Sequence, residues 1–402
     1  MKRGWLILFM LGFGLEAQAS NSDWQSTWDA VLYAYPERLW RTEESVLNPD
    51  NRLARLADTS FTGEARLNLR LANDRYRISA RPILSIRHEK ESGESEPQGY
   101  LSQWQLRTAL TPYWAASIGR EVMNWGPAQF HSPSSPFYFD NGRSNPLREL
   151  SGVDAVKLAW TPDHRHALSI AFVEDSGHKH ASPDDWKNTL LLKGDMRGDD
   201  WAGGLALAQA RGSALFVGIH LQQTLNDACL LYGEISSTKR IDTLLSPRDF
   251  SQPFSLLAVS PRRETGLIGA TYTLENGHSL TLEYLHDGHG YSRAESRAYF
   301  ARAASSLAAA GLALAASPLL LNRNYLHMIW QNNLLDGDDY WRLMMSHNMD
   351  DGSTEFTAYI EHAVNGRLTL FLLGTLDSGG SRREYGMVIE RSLNLGLRLA
   401  LP

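Results

Sequence analysis

From residue 61 onward, apolar and polar positions alternate in segments of about ten residues, separated by turn chemistry and not by linkers. Ala65, Leu67, Leu69 and Leu71 face one way, and Arg66, Asn68 and Arg70 the other. After Asn73-Asp74, Tyr76, Ile78, Ala80, Leu84 and Ile86 oppose Arg75, Arg77, Ser79, Arg81 and Arg87. A period of two puts each set on one face of a pleated strand. Trp104, Leu106 and Leu110 likewise oppose Gln103, Gln105 and Arg107. Later hairpins are marked by Asn276-Gly277 and Asn365-Gly366, a strong two-residue turn signal. The chain closes on Leu393, Leu395, Leu397, Leu399 and Leu401 alternating with Asn394, Gly396, Arg398 and Ala400.

This pattern predicts an all-β fold, a transmembrane antiparallel β-barrel of about 16–18 strands with its apolar face to lipid and its polar face to the lumen. A soluble β-sandwich or propeller also alternates. Two features favour the barrel: connections alternate between short and long, and the polar face carries charge in many strands, whereas a sandwich buries its inner faces together.

Three stretches break the pattern. In residues 20–57, Trp24, Trp28, Val31 and Leu32 have roughly helical spacing, and Pro36 and Pro49 interrupt the run beyond them. A short periplasmic helix or irregular lead-in is expected there, leaving residues 58–402 for the barrel. Residues 303–321, AASSLAAAGLALAASPLLL, run for nineteen positions without a charge, which meets the length rule for a membrane helix. They are mostly Ala, Ser and Gly and contain Pro318, so an Ala-rich helix within a long loop is the expectation. The third stretch lies between the strand ending near Gly119 and the strand containing Val156, Leu158 and Trp160. It is rich in Pro, Ser, Asn and Gly yet carries Trp125, Phe130, Phe137, Tyr138 and Phe139. A loop this long inside a compact domain is functional or disordered, and so many aromatics argue for order. It reads as a loop folded over or into the barrel.

Composition adds the compartment. Lys2 and Arg3, an apolar run from Trp5 to Leu15 and Ala17-Gln18-Ala19 form a secretory signal over residues 1–19, with an apolar core too short to span a bilayer. Its removal leaves 37 basic against 44 acidic residues, a balance that argues against nucleic acid as a partner. Cys229 is the one cysteine, so neither a disulfide framework nor a Cys-based metal site is available. The 12 tryptophans and 15 tyrosines suit the aromatic belts of a membrane barrel.

Catalytic motifs are missing: the chain has no HExxH, GxGxxG, P-loop, GxSxG or CxxC pattern, the signatures that carry mechanism at fixed spacing. His178 with His180, and His286, Asp287 and His289, lie in Gly- and Ser-rich segments and read as solvated loop residues. Asp184/Asp185, Asp199/Asp200 and Asp338/Asp339 sit where Asp favours turns. No catalytic residue, metal ligand or cofactor is assigned, and an enzyme is not expected. The arginines say more. Arg66, Arg70, Arg75, Arg77, Arg81, Arg87 and Arg107 all fall on the polar face of successive strands. Arginine rings favour anions in pores, and the guanidinium fork suits carboxylates and phosphates. The opposing reading has Glu64, Glu121, Glu283, Glu355 and Glu361 neutralise that wall.

The run Gly119-Arg120, then Trp125-Gly126-Pro127, a Pro/Ser/Asn-rich loop and Asn145-Pro146-Leu147-Arg148 resembles a motif of Gram-negative outer-membrane barrels, similar to the alginate-export and capsule-assembly (Wzi-like) group. The resemblance implies an outer-membrane location and exopolysaccharide or capsule export or anchoring. Such barrels commonly end in an aromatic residue, whereas this chain ends Ala400-Leu401-Pro402.

The expected function is an outer-membrane channel or surface anchor for an anionic or sugar-rich solute. The lumen arginines would hold the solute, and a constriction would be built from Trp125, Phe137, Tyr138 and Arg148. Expected partners are outer-membrane lipid, the barrel-insertion machinery and the solute. The competing expectation is a secreted β-rich carbohydrate-binding protein or hydrolase.

Overall fold

The computed structural model describes residues 24–402 apart from 176, 178–185, 212–214, 247–250 and 334–336; the signal segment expected over 1–19 lies outside the described residues. The strands are β1 (Gln25–Arg41), β2 (Thr59–Ala72), β3 (Tyr76–Glu89), β4 (Ser95–Ala109), β5 (Trp114–Glu121), β6 (Val153–Trp160), β7 (His166–Asp175), β8 (Thr189–Arg197), β9 (Trp201–Ala210), β10 (Phe216–Asn226) and β11 (Cys229–Thr238). A small hairpin follows, β12 (Ile241–Leu245) and β13 (Ser255–Val259). The wall resumes with β14 (Arg263–Thr273), β15 (Ser279–Asp287), β16 (Asn324–Gln331), β17 (Asp339–Asn348), β18 (Thr354–Ala363), β19 (Leu368–Asp377) and β20 (Ile389–Leu401). All strands except the hairpin form one 18-stranded antiparallel sheet. It closes where β1 pairs with β20, Ala30 opposite Leu401 and Leu39 opposite Ser392. Closure removes the sheet edges, which is what lets a β-structure cross lipid.

Alternation decides which way each side chain points. Leu69, Ile78, Leu84 and Leu106 lie exposed on the outer wall, while Arg66 and Ser102 on the same strands are buried inside. Ile268 and Leu395 leave 66% and 58% of their surface uncovered. A water-facing wall would not carry so wide an apolar band, and the soluble sandwich or propeller is ruled out by the closed sheet. Connections alternate between short turns at one end and long loops at the other, the arrangement of periplasmic turns and extracellular loops. Around the turn end run Trp28, Tyr76, Trp114, Trp160, Trp201, Tyr272 and Trp330, each exposed. Trp114 and Trp160 stack with ring centres 6.0 Å apart, and Trp330 meets Trp341 edge to face at 5.1 Å. This is the interfacial aromatic girdle.

The lead-in expected over residues 20–57 is corrected by the structure. Residues 25–41 form strand β1, which pairs with both β2 and β20. Val31, Tyr33 and Tyr35 alternate with Leu32, Ala34 and Pro36, and that period of two wins over the helical spacing of the tryptophans. Residues 42–58 then form a loop at the opposite end from the start of β1. The Ala-rich segment 303–321 is a loop feature, as expected: it holds one short helix, α2 (Leu307–Ala315), and a separate helix, α1 (Arg293–Ala303), ends where the segment begins. Ser292 caps α1 through a reciprocal capping box with Glu295, and Ser306 caps α2. Among the described residues no helix is long and apolar enough to cross a membrane. The helices pack with Leu47 and Leu244 around Tyr291, Tyr299 and Phe300, and Tyr299 donates to the Ala313 carbonyl at 3.0 Å. Several long loops thus share one apolar cap over the mouth.

Candidate functional site

The loop 122–152 leaves β5 at the long-loop end and is held inside the barrel by two carboxylates. Gly126 adopts φ +89°, and a Cβ there would stand 2.3 Å from Glu234 Oε1. The turn at Trp125-Gly126-Pro127 therefore needs glycine both for its backbone and for the approach of Glu234 from β11. Glu234 Oε1 accepts from the Ala128 amide at 3.0 Å, and Oε2 accepts from the Ser132 hydroxyl at 2.6 Å and from Ser134 through N–H and hydroxyl at 3.0 and 2.7 Å. Glu283 on β15 takes the next amides, Gln129 at 2.6 Å and Phe130 at 3.3 Å. Tyr232 on β11 also donates to Glu283, at 2.7 Å, reaching over β14. It can do so because Gly269 lies between them: a Cβ there would sit 2.4 Å from the Tyr232 ring. Loop amides that would be orphaned in a lumen are thereby satisfied.

Beyond these anchors the loop crosses to the far wall. Phe130 stacks on His327 with ring centres 4.5 Å apart and packs on Ile329 and Met344. Leu147 enters an aromatic cluster of Tyr359 and Phe371 flanked by Tyr33 and Tyr35. The returning end docks on a bulge of β4, where the pairing of β3 with β4 shifts between Arg81 and Pro82. There the Gly152 amide donates to Ser102 at 2.9 Å and Gln103 Nε2 to the Leu150 carbonyl at 3.1 Å. Within the loop, Arg148 pairs with Asp140, and Arg143 donates to the Ala128 carbonyl at 2.7 Å. Burial opposes ionisation of Asp140, but His131 and Arg148 beside it hold its carboxyl below the ordinary value.

The expected constriction residues do not act together. Phe137 and Tyr138 are buried against β6 to β10, in a cluster with Ala171, Leu191 and Phe216 that Trp125 flanks. Tyr138 donates to the Ser151 carbonyl at 2.6 Å, and Trp125 to that of Ser134 at 2.9 Å. Their rings face protein on the wall away from the arginines, which corrects the expectation that they build the constriction. Arg148 serves the loop itself.

The seven arginines divide by height. Arg66 pairs with Glu64 and, at 3.6 Å, with Glu149, and it donates to the Leu147 carbonyl. Arg81 pairs with Glu149 at 2.8 Å and Arg87 with Glu37 at 3.1 Å. These three hold structure. Arg70, Arg77 and Arg107 are exposed and, among the described residues, form no ion pair. They lie toward the turn end, about 13 Å along the strand from the Arg66 and Arg81 level at 3.3 Å per residue. Arg75 lies over the Tyr76 ring at 5.6 Å. Of the glutamates expected to neutralise the wall, Glu64 does so for Arg66, Glu361 serves Arg398 and Glu121 serves Lys157. Glu283 holds the loop, and Glu355 faces Asp377 in register. Glu234 was missed by sequence reasoning, because an inward Glu on a strand announces no partner.

The remaining candidates disperse. His286 bonds Asn324 at 2.9 Å on the outer face, while Asp287, fully buried, pairs with Arg240 at 3.2 Å and accepts from the His289 amide at 3.0 Å; adjacent positions on a strand point to opposite faces, so the three do not gather, and Asp287 is not the solvated loop residue expected. His178, His180, Asp184 and Asp185 lie outside the described residues. Asp199 and Asp339 pair with Arg165 and His362 at the turn end.

No protein-family model matches the chain, and no curated protein matches its sequence. Solved structures do. Acinetobacter baumannii OccAB1 superposes with a TM-score of 0.56 at 11% identity, covering 96% of this chain and 99% of its own. Pseudomonas aeruginosa OccK7 (OpdD) gives 0.55 at 12%, covering 94% and 99%, and OccK11 (OpdR) from the same organism gives 0.53 at 11%, covering 94% and 96%. The fold is that of an outer-membrane porin. At this identity the likeness concerns the barrel alone, and it extends over nearly the whole of both chains.

Proposed function

We propose that the protein is an outer-membrane channel for small anionic solutes, with the loop 122–152 as its constriction. The observation that carries this is the split among the arginines. Those level with the loop are consumed by Glu64, Glu149 and Glu37, while Arg70, Arg77 and Arg107 stand on the lumen wall without a carboxylate. Unpaired guanidiniums in a narrow, low-dielectric space attract anions. A sugar-rich solute has less behind it, because Phe137 and Tyr138, the rings that would stack on it, are buried. Exopolysaccharide or capsule export, implied by the resemblance of the Trp125-Gly126-Pro127 motif, has no observation in its favour: a loop anchored across the lumen opposes passage of a polymer.

Reversal potentials in planar bilayers test the reading. Wild type is expected to prefer anions, and Arg77→Glu with Arg107→Glu to reduce or reverse that preference. Cation preference in wild type with no response to the pair would remove the anion channel and leave the barrel.

A further inference from the structure

On the outer wall, two successive rows of side chains cross the strands that meet at the closure. The upper row is Met345, Phe356, Leu376, Arg391 and Trp40, register partners from β17 to β1. The row below is Leu343, Ala358, Gly374, Leu393 and Arg38. Ala358 and Gly374 are small while Leu343, Phe356, Leu376 and Leu393 around them stand out from the wall. The result is an apolar groove of about 470 Å³ on the lipid-facing surface, ending at Trp40 and Arg391. There it meets a second hollow of about 420 Å³ at the long-loop rim, which shares Trp40 and Arg391 with the groove and is lined by Arg38 as well.

The head of the groove gathers two arginines on one aromatic ring. The Arg391 guanidinium lies 4.8 Å from the Trp40 ring centre and that of Arg38 lies 5.6 Å from it. Arg38 donates to the Thr59 hydroxyl at 2.9 Å, and among the described residues neither arginine forms an ion pair. Five carboxylates also line the hollow, Glu43, Glu44, Asp50, Asp58 and Glu390; Asp58 and Asp50 pair with Arg41 and Arg52, and none of the five stands within ion-pairing distance of Arg38 or Arg391. A bulge of β20 at Glu390, where the register shifts between Trp40 and Arg41, sets Arg391 at this lip; bulges re-aim side chains in this way. Two like charges gathered on one ring at the edge of the apolar band are stabilised by an anion placed between them.

We propose that this groove is a binding site for an acylated, phosphate-bearing lipid of the outer leaflet. An acyl chain lies over Ala358 and Gly374, and the phosphate is held by Arg38 and Arg391 beside Trp40. The inference rests on the barrel standing in the outer membrane with its long loops outside, and not on what the lumen conducts. Lipid is the occupant because the groove opens within the membrane-facing band and its only charged end lies at headgroup height.

Native mass spectrometry of the detergent-purified full chain tests it, with diphosphorylated lipid A, its dephosphorylated form and phosphatidylcholine as probes. Wild type is expected to retain diphosphorylated lipid A at least about tenfold better than either other lipid, since each charge-assisted bond contributes on the order of a tenfold preference or more. Arg38→Gln with Arg391→Gln should abolish the preference, and Gly374→Leu, which fills the groove floor, should lower retention of the acylated probe. Arg367→Gln, in a turn at the other end, should change nothing. Heat-modifiable gel mobility verifies that each variant is folded. Equal retention of all three lipids, or no response to the double substitution, overturns the proposal. So does a change of oligomeric state on Gly374→Leu without loss of lipid, which would make the groove a contact between copies of the chain.

Discussion

Arg77 and Arg107 are direct register partners on β3 and β4, two like charges side by side on the lumen wall with no carboxylate between them. Cross-strand like charges destabilise a sheet by roughly 0.2–1 kcal/mol. A wall optimised for stability alone would not contain this pair. Arg107→Ser is therefore expected to raise the barrel's resistance to urea slightly while lowering anion preference. Equilibrium unfolding in detergent read beside reversal potentials checks both signs, and a loss of stability would show that the pair is not in repulsion.

Glu234 is the main peg of the loop. Its carboxylate collects four donors between Ala128 and Ser134. Glu234→Leu leaves the Ala128 and Ser134 amides unmatched in a buried site and the Ser132 hydroxyl with only the Trp125 carbonyl, at a cost of about 3 kcal/mol or more. The expected outcome is a folded barrel in which amides 128–134 exchange hydrogen far faster and single-channel current becomes noisy. Unchanged exchange at those amides would show that the Phe130 and Leu147 contacts suffice.

Gly269 makes a sharper test, because it touches neither loop nor solute. Gly269→Val places a branched side chain where the Tyr232 ring lies, displacing its hydroxyl from Glu283. Loop protection at Gln129 and Phe130 is expected to fall as it does in Tyr232→Phe, and combining the two changes should add little. Additive losses would mean the glycine acts by another route.

Deleting residues 132–143 removes the part of the loop that crosses from Glu234 to Asp140. Conductance is expected to rise severalfold, with anion preference retained because Arg70, Arg77 and Arg107 remain in place. Conductance equal to wild type would show that the narrowest section lies in the loop cap above.

Glu384, in the loop 378–388, anchors the cap through the Leu321 amide at 2.9 Å, Tyr325 at 2.5 Å and Asn348 at 2.6 Å. Burial pushes its carboxyl up from 4.5 to about 7. With the folded value above the unfolded one, the contribution is complete below about 4.5 and declines as pH rises to about 7, by about 1.4 kcal/mol per pH unit at most. Hydrogen exchange at 321–325 should accordingly be slower at pH 5 than at pH 8 after correction for the chemical rate. Glu384→Gln should flatten the difference, and a steeper one in that variant would assign the effect elsewhere.

The barrel was legible in sequence because period two is a local property: Leu67, Leu69 and Leu71 reveal their face without reference to any other strand. β1 was hidden by Trp24 and Trp28, whose spacing mimics a helix, and by Pro36, which marks a break except at positions where no ladder donor is needed. The arginines on the polar face were legible as a set, but their division was not. Whether Arg81 or Arg77 finds a carboxylate depends on Glu149, which reaches them only once the loop has crossed the lumen. Glu234 and Glu283 were illegible for the same reason, since their partners are backbone amides that any residue could supply.

The pairing of β1 with β20 has a consequence for how the molecule is made. The first and last strands of the described chain meet, so no shorter stretch of the wall has a partner for both its margins. In lipid an unpaired margin is costly over its whole length. Assembly must then be a single late event, with the open seam shielded until β20 arrives. A chain halted before Ile389 should remain with that shield or be degraded, with no partial pore to show for it.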